Sequence, residues 1–369
     1  MTNLRRTFRS SAASWLKMDS QDSDTPIGGI GYLLDDHYLL HNPGNGHPES
    51  PQRLASIRQM MDVSGIAEHF QRLQPREAGI EDLQLVHTPG HIQRIEQASR
   101  LAPSDLDLDT SVSAHSYQTA LLAAGGVLQC VDALCSGKLR RAFAFIRPPG
   151  HHASRDRASG FCLFNNIALG AAYAKSAHKL QRIAIVDMDV HHGNGTQSCF
   201  YSDPGVLFIS THQYPFYPGS GNFLEIGRGD GKGFTMNFPL PVNTGDSTFA
   251  PLYSKIISTV LDQYAPQLIL VSTGLDGHFK DPLGGLCLTP EGYASAAGSL
   301  MLAADRICNG RICFVLEGGY NLQALKDCSL AIMTQMKLQR PGELSMREND
   351  LFREISGEAA KYASGIWKW

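Results

Sequence analysis

The stretch "IAIVDMDVHHGNG" (183–195) runs four apolar residues into two aspartates, two histidines and a glycine turn. Ile183, Ala184, Ile185 and Val186 are apolar on both alternations, as a strand buried on both faces requires. Packing gives no reason for such a strand to end in acids and imidazoles. Four other runs share its first half: "AFAFI" (142–146), "VLFIS" (206–210), "LILVS" (268–272) and "ICFVLE" (312–317). Helix-like segments lie between them, such as 117–134 and 165–180. This alternation predicts an α/β fold around a central parallel sheet. No internal repeat or low-complexity linker interrupts it, so residues 28–369 are expected to form one domain. Open parallel sheets bind ligands beyond the carboxyl ends of their strands. Here those ends read "RPPGHH", "DMDVHHGNG", "STHQY", "STGLDGH" and "EGGYN". Their shared rim is the expected site.

Composition narrows the function classes. Of 369 residues 43% are hydrophobic and 18% charged, with a formal net charge of -3, an ordinary globular balance with ample length for a large core. No basic block is present, so nucleic acid is not an expected partner. Neither an amphipathic basic helix nor a run of eighteen apolar residues is read, so no membrane partner is expected either. The cysteines (130, 135, 162, 199, 287, 308, 313 and 328) form no CxxC pair and several sit in apolar runs. Buried free thiols in a reducing compartment are the expectation. With no secretory apolar segment, that compartment is expected to be cytoplasmic. The first eighteen residues carry Arg5, Arg6, Arg9 and Lys17 without an acid, in the manner of a transit segment. They are read instead as part of a flexible extension, 1–27, or as an upstream start with Met18 as the true beginning.

The rim residues suit one chemistry. Asp189 and His191 are two apart, so on an extended chain they share a face, and Asp276 follows another strand. One imidazole and two carboxylates leave metal positions open for water and substrate, as a catalytic zinc needs, although oxygen-rich ligation also admits iron, cobalt or manganese. His151 and His152 follow a Pro-Pro-Gly turn, and a histidine held by a carboxylate is a good general base. Asp187 lies deeper in its strand and is expected to orient a histidine rather than bind metal. Asn194 would hold the other histidine without adding charge, separating the two in basicity. Tyr320, after two glycines, could donate to an oxyanion. Together these groups point to metal-assisted water attack on an amide or ester carbonyl. Phe161 and Tyr217 lie on glycine-bearing loops and would line a narrow channel for an extended alkyl chain.

In this order "HPESPQRL" (47–54), "RPPGHHA", "GFCLFNN", "VDMDVHHGNGTQ", "STHQYPFYPGSG", "STGLDGHFKDPLGG" and "LEGGYN" resemble the histone deacetylase superfamily. That group includes bacterial deacetylase-like amidohydrolases and acetylpolyamine amidohydrolases, and the likeness runs over roughly residues 29 to 335. "DPLGG" and Asn194 are similar to class II rather than class I members. The resemblance implies the arginase/deacetylase fold, with a parallel sheet of about eight strands. It implies one zinc ion per chain on Asp189, His191 and Asp276, since "GLDGH" supplies Asp276 with no second acid two residues on to hold the second metal of a ureohydrolase. It makes His152, paired with Asn194, the general base and acid, and His151, paired with Asp187, chiefly electrostatic. Tyr320 would polarise the scissile carbonyl. Phe161 and Tyr217 would flank an acyl-lysine tunnel, Tyr217 standing where relatives usually have Phe. Gly160 would let the substrate stem pass, Leu283 would be the gatekeeper, and Asp109 would grip substrate backbone at the rim. Arg53 would be buried below the site.

The same likeness implies one or two structural potassium ions. The first would use Asp187, Asp189, His191, Ser210 and Thr211, and the second backbone oxygens around Phe200, Asp203, Val206 and Phe234. The implied substrate is an acyl-lysine protein or peptide, with an acetylpolyamine as the alternative. An apolar Leu283 favours lysine, because it would not attract a second ammonium. A non-catalytic binding module is disfavoured by the intact set of ligands, histidines and Tyr320. Oligomeric state is not legible.

Overall fold

A computed structural model describes residues 28–338, 341–342, 348–363 and 365–369. The expected extension, 1–27, lies outside the described residues. Among the described residues ten strands form: β1 (Gly29–Leu34), β2 (Gln71–Leu73), β3 (Ser104–Asp107), β4 (Thr110–Val112), β5 (Leu139–Phe145), β6 (Ile183–Asp187), β7 (Val206–Gln213), β8 (Thr235–Leu240), β9 (Leu268–Thr273) and β10 (Ile312–Leu316). Eight of them make one sheet in the order β2-β1-β5-β10-β9-β6-β7-β8, parallel throughout. The pair β3–β4 is a separate antiparallel hairpin.

The five strands legible as apolar runs are the five contiguous central ones, β5-β10-β9-β6-β7, and every residue in them is buried. The strands not read from the sequence are the outer ones. β1 contains Gly29 and Gly31, β2 has only three residues with two exposed, and β8 carries Asn237 and Pro239. β2 and β8 are edges with one neighbour each, and β1, next to the edge, is only half buried, so these sequences need not be uniformly apolar.

Helices cover the sheet in two packed groups. Ser116–Cys135 packs on Asn166–Ala177, whereas Leu322–Lys337 packs on both Pro290–Ile307 and Gln52–Ser64. The helix Asp350–Ala363 closes over the edge strand β8, which protects its free backbone. Among the described residues one helix, Ser116–Cys135, is long and apolar enough to cross a membrane by length and composition, a run the sequence reading did not register. It is a core helix here, with 72% of its apolar window buried. Side-chain caps start the helices that follow the rim loops: Asn165 accepts from Ala168 N, and Asn321 from Ala324 N. Each satisfies an otherwise free N-terminal amide and fixes the loop just before it. All eight cysteines are free thiols and five are fully buried, while Cys287 is exposed.

Candidate active site

Register brings the acids together. Asp187 closes β6 and pairs with Ser210 of β7 and Ser272 of β9, so Asp189 and Asp276 emerge beyond neighbouring points of one sheet row. The expectation that Asp189 and His191 share a face of an extended chain is corrected, because the strand ends at Asp187. Two successive side chain-to-backbone turns carry the chain onward instead. Asp187 Oδ1 accepts from Asp189 N at 3.1 Å, and Asp189 Oδ1 from His191 N at 2.9 Å. Aspartate favours such turns because its carboxylate reaches the amide two residues on.

The result is a three-residue cluster. Ligand-capable atoms of Asp189, His191 and Asp276 all lie within 4.8 Å of one another. His191 Nδ1 is 3.2 Å from Asp189 Oδ1 and 3.3 Å from Asp276 Oδ2. Gly318 N donates to Asp189 Oδ2, and Val190 N to Asp276 Oδ1, each at 2.9 Å. Asp276 Oδ2 is buried without a hydrogen-bond donor, since His191 Nδ1 approaches it outside hydrogen-bond geometry. A buried carboxylate oxygen left unpaired is costly. Burial opposes a charged His191, but the two carboxylates override it and raise the imidazole to about 10. Two acids competing for one proton fit a divalent cation in that proton's place, and the donor set suits zinc.

The histidine pair is electrostatically split. His151 Nδ1 lies 3.0 Å from Asp187 Oδ2, and its Nε2 lies 3.8 Å from Asp189 Oδ1. Burial disfavours its charge, but Asp189 and Asp187 outweigh that and raise it to about 10. His152 stacks beside it with ring centroids 4.0 Å apart. Its Nδ1 meets Asn194 Oδ1 at 2.8 Å, which puts the proton on Nδ1 and the lone pair on Nε2. Burial, then the charges of His151 and His191, push His152 well below the usual imidazole range. One imidazolium and one neutral imidazole therefore stand side by side.

Glu317 holds their loop. Its Oε2 accepts from Gly150 N at 2.6 Å and His151 N at 3.2 Å, and burial raises this carboxyl to about 7. Arg53 lies beneath, as the resemblance implied. It is fully buried, donates to Gly319 O at 2.7 Å, and shares Glu49 with Arg147. Its guanidinium sits 5.1 Å from the Tyr320 ring centroid. Burial and the Asp276 charge keep the Tyr320 phenol well above its usual range, hence protonated and able to donate.

A cavity of about 470 Å³ opens over these groups. His152, His191 and Tyr320 reach it, and all five expected substrate-binding residues line it: Asp109, Gly160, Phe161, Tyr217 and Leu283. Its walls are mostly aromatic and apolar, as small-ligand sites are. Gly160 proves to be constrained by His152 as well as by any substrate. At φ +55° a Cβ there would stand 2.4 Å from His152 Cδ2 and 3.1 Å from the Tyr217 hydroxyl. Tyr217 packs edge-on against His152 at 5.1 Å. Phe216, not singled out from the sequence, stacks parallel on His191 at 5.3 Å; it adjoins Tyr217, and adjacency was its only signal. His192 binds Ser220 and Gln197 below the surface and takes no part in the rim.

Some of the residues expected around potassium are hydrogen-bonded to one another. Thr211 Oγ1 donates to Asp187 O at 3.3 Å, and the Ser210 hydroxyl pairs with His212 Nδ1 at 2.8 Å. Phe200 O accepts from Asp203 N, Asp203 O from Val206 N, and Phe234 O from Phe208 N.

The family described as "Histone deacetylase domain" matches residues 47–336. A "Probable deacetylase" of Archaeoglobus fulgidus is 41% identical over 309 residues, covering 83% of this chain and 86% of that protein. The "Histone deacetylase-like amidohydrolase" of Pseudomonas aeruginosa is 36% identical, over 91% of this chain and 87% of its own length. "Polyamine deacetylase HDAC10" of Homo sapiens is 38% identical over 79% of this chain but only 45% of that protein. The solved structure of the HDA15 HD domain superposes with a TM-score of 0.86 at 31% identity, covering 92% of this chain and 96% of that one. The match spans most of the sheet and every rim loop described above, and the chain belongs to the histone deacetylase family.

Proposed function

We propose that the protein is a zinc-dependent hydrolase that removes acetyl or related acyl groups from lysine side-chain amides. The carrying observation is that the three-ligand cluster, the split histidine pair and a protonated Tyr320 meet at one narrow, aromatic-walled cavity. Zinc held by Asp189, His191 and Asp276 would supply Lewis-acid polarisation of a water and of the scissile carbonyl. The His152 Nε2 lone pair takes the water's proton and returns it to the lysine nitrogen as the C–N bond breaks. His151, kept cationic by Asp189 and Asp187, offsets negative charge as it develops. Tyr320 donates its O–H to the carbonyl oxygen. Phe161 and Tyr217 confine the methylene stem, and Asp109 accepts hydrogen bonds from substrate backbone at the rim. The potassium sites around Asp187 and around Phe200, and a cytoplasmic location, belong to the same reading.

A second reading, acetylpolyamine hydrolysis by the same groups, is favoured by the 38% identity to a protein named as a polyamine deacetylase. Leu283 weighs against it, because an apolar side chain at the mouth gives a second ammonium no partner. Turnover of an acetyl-lysine peptide and of N8-acetylspermidine, measured side by side, separates the two. A kcat/KM far higher on the polyamine overturns the lysine assignment. Tyr320→Phe is expected to lower kcat about 100-fold, the usual scale for one oxyanion donor, with bound metal unchanged. Unaltered turnover would remove Tyr320 from the chemistry.

A further inference from the structure

Asp281 is a buried carboxylate, 7% exposed, outside the ligands, the histidine pair and the phenol. Its oxygens accept three backbone N–H groups. Oδ2 takes Tyr320 N at 2.7 Å and Asn321 N at 3.0 Å, and Oδ1 takes Leu283 N at 3.0 Å. One side chain thus ties together two segments, 39 residues apart, that both reach the cavity. Asn321 completes the clamp. Its Nδ2 donates to Lys280 O at 3.1 Å, while its Oδ1 caps the helix Leu322–Lys337 through Ala324 N at 3.0 Å. The turn between β10 and that helix includes Gly319 at φ +120°, outside any regular ladder. The Tyr320 peptide is therefore held by Asp281 rather than by secondary structure.

The residue type matters. Taking a carboxylate out of water is expensive, and a loop needing one acceptor could use Ser or Asn. A carboxylate alone offers two oxygens, acceptors on both sides and no donor. An asparagine would turn an NH₂ toward either the Tyr320 side or the Leu283 side, donor against donor. We infer that Asp281 is a positioning residue that sets the Tyr320 phenol over the substrate carbonyl and holds Leu283 at the mouth in the same act. This rests on the oxyanion role proposed for Tyr320.

A double-mutant cycle with Asp281→Asn and Tyr320→Phe tests it, since coupled residues depart from additivity. Asp281→Asn in the wild-type background should lower kcat on an acetyl-lysine peptide about tenfold, with KM changing less and metal content unchanged. In the Tyr320→Phe background the same substitution should cost less than twofold. An equal fold-loss in both backgrounds would overturn the inference, because a merely structural aspartate damages both enzymes alike. If Tyr320→Phe alone leaves kcat unchanged, the oxyanion reading fails first and the inference falls with it. Should Asp281→Asn not fold, Asp281→Ser goes through the same cycle, with the same two outcomes.

Discussion

Gly318→Ala probes the centre without altering any group that would bind metal or move a proton. Its Cβ would stand 2.0 Å from Asp276 Oδ2 and 2.7 Å from Asp189 Oδ2, where ordinary contact begins at 3.4 Å. One carboxylate or the 317–319 backbone must therefore retreat by about 1.4 Å. Neither acid can do so freely. Val190 N holds Asp276 Oδ1, and Gly318's own amide holds Asp189 Oδ2. Gly318 is not in the left-handed region, so the cost is the clash and not backbone strain. Zinc–oxygen bonds are about 2.0–2.2 Å, and a displacement over half that length takes a ligand out of bonding range. A misplacement of about 1 Å already costs roughly 100-fold in rate. The variant should lose most of its metal on dialysis and at least 100-fold in kcat/KM, while its circular dichroism and cooperative melt persist. The assays are metal content per chain and acetyl-lysine peptide turnover. A full equivalent of metal with unchanged turnover would refute the assignment of Asp189 and Asp276 to the metal.

Two other substitutions read out electrostatics. Asn194→Asp puts a carboxylate 2.8 Å from His152 Nδ1, which should raise that histidine by about 1–3 units. A base works deprotonated, so the acid limb of the pH–kcat/KM profile should move to higher pH; an unmoved limb would take His152 out of that role. His87 is buried beside His91 and accepts from Asn165 N at 2.9 Å; burial, then His91, lower it to about 3. Its unfolded value is about 6.5, so the stability it confers is complete above that pH and is lost as pH falls through 6.5 toward 3. About 1.4 kcal/mol is gone by pH 5.5 from this side chain alone. His87→Gln, which keeps an acceptor for Asn165 N, should flatten the fall in Tm between pH 7 and 5, and an identical slope would contradict the account.

Much of this centre was legible in one dimension. Strands buried on both faces must be apolar throughout, so 142–146, 183–187, 206–210, 268–272 and 312–317 announced themselves and proved to be the contiguous middle of the sheet. Because parallel strands open their carboxyl ends to one rim, the acids, imidazoles and phenol after them could be assigned to one site before any coordinate was known. The strands β1, β2 and β8 escaped, since β2 and β8 are edges that tolerate exposed residues or Pro239, and β1 beside the edge is only half buried and carries Gly31.

Residue types and their places at strand ends were thus determined by the sequence alone, because hydrophobic periodicity is a local property. What holds those residues in working geometry was not. The turns at Asp187 and Asp189 replaced an expected pleat, Glu317 reaches back to Gly150 and His151, and Asp281 reaches forward to Tyr320. Phe216 lies flat on His191. Each is a contact between a side chain and groups brought near only by chain crossing. Such contacts depend on distances that no spacing along the chain encodes, and only the folded sheet decides them.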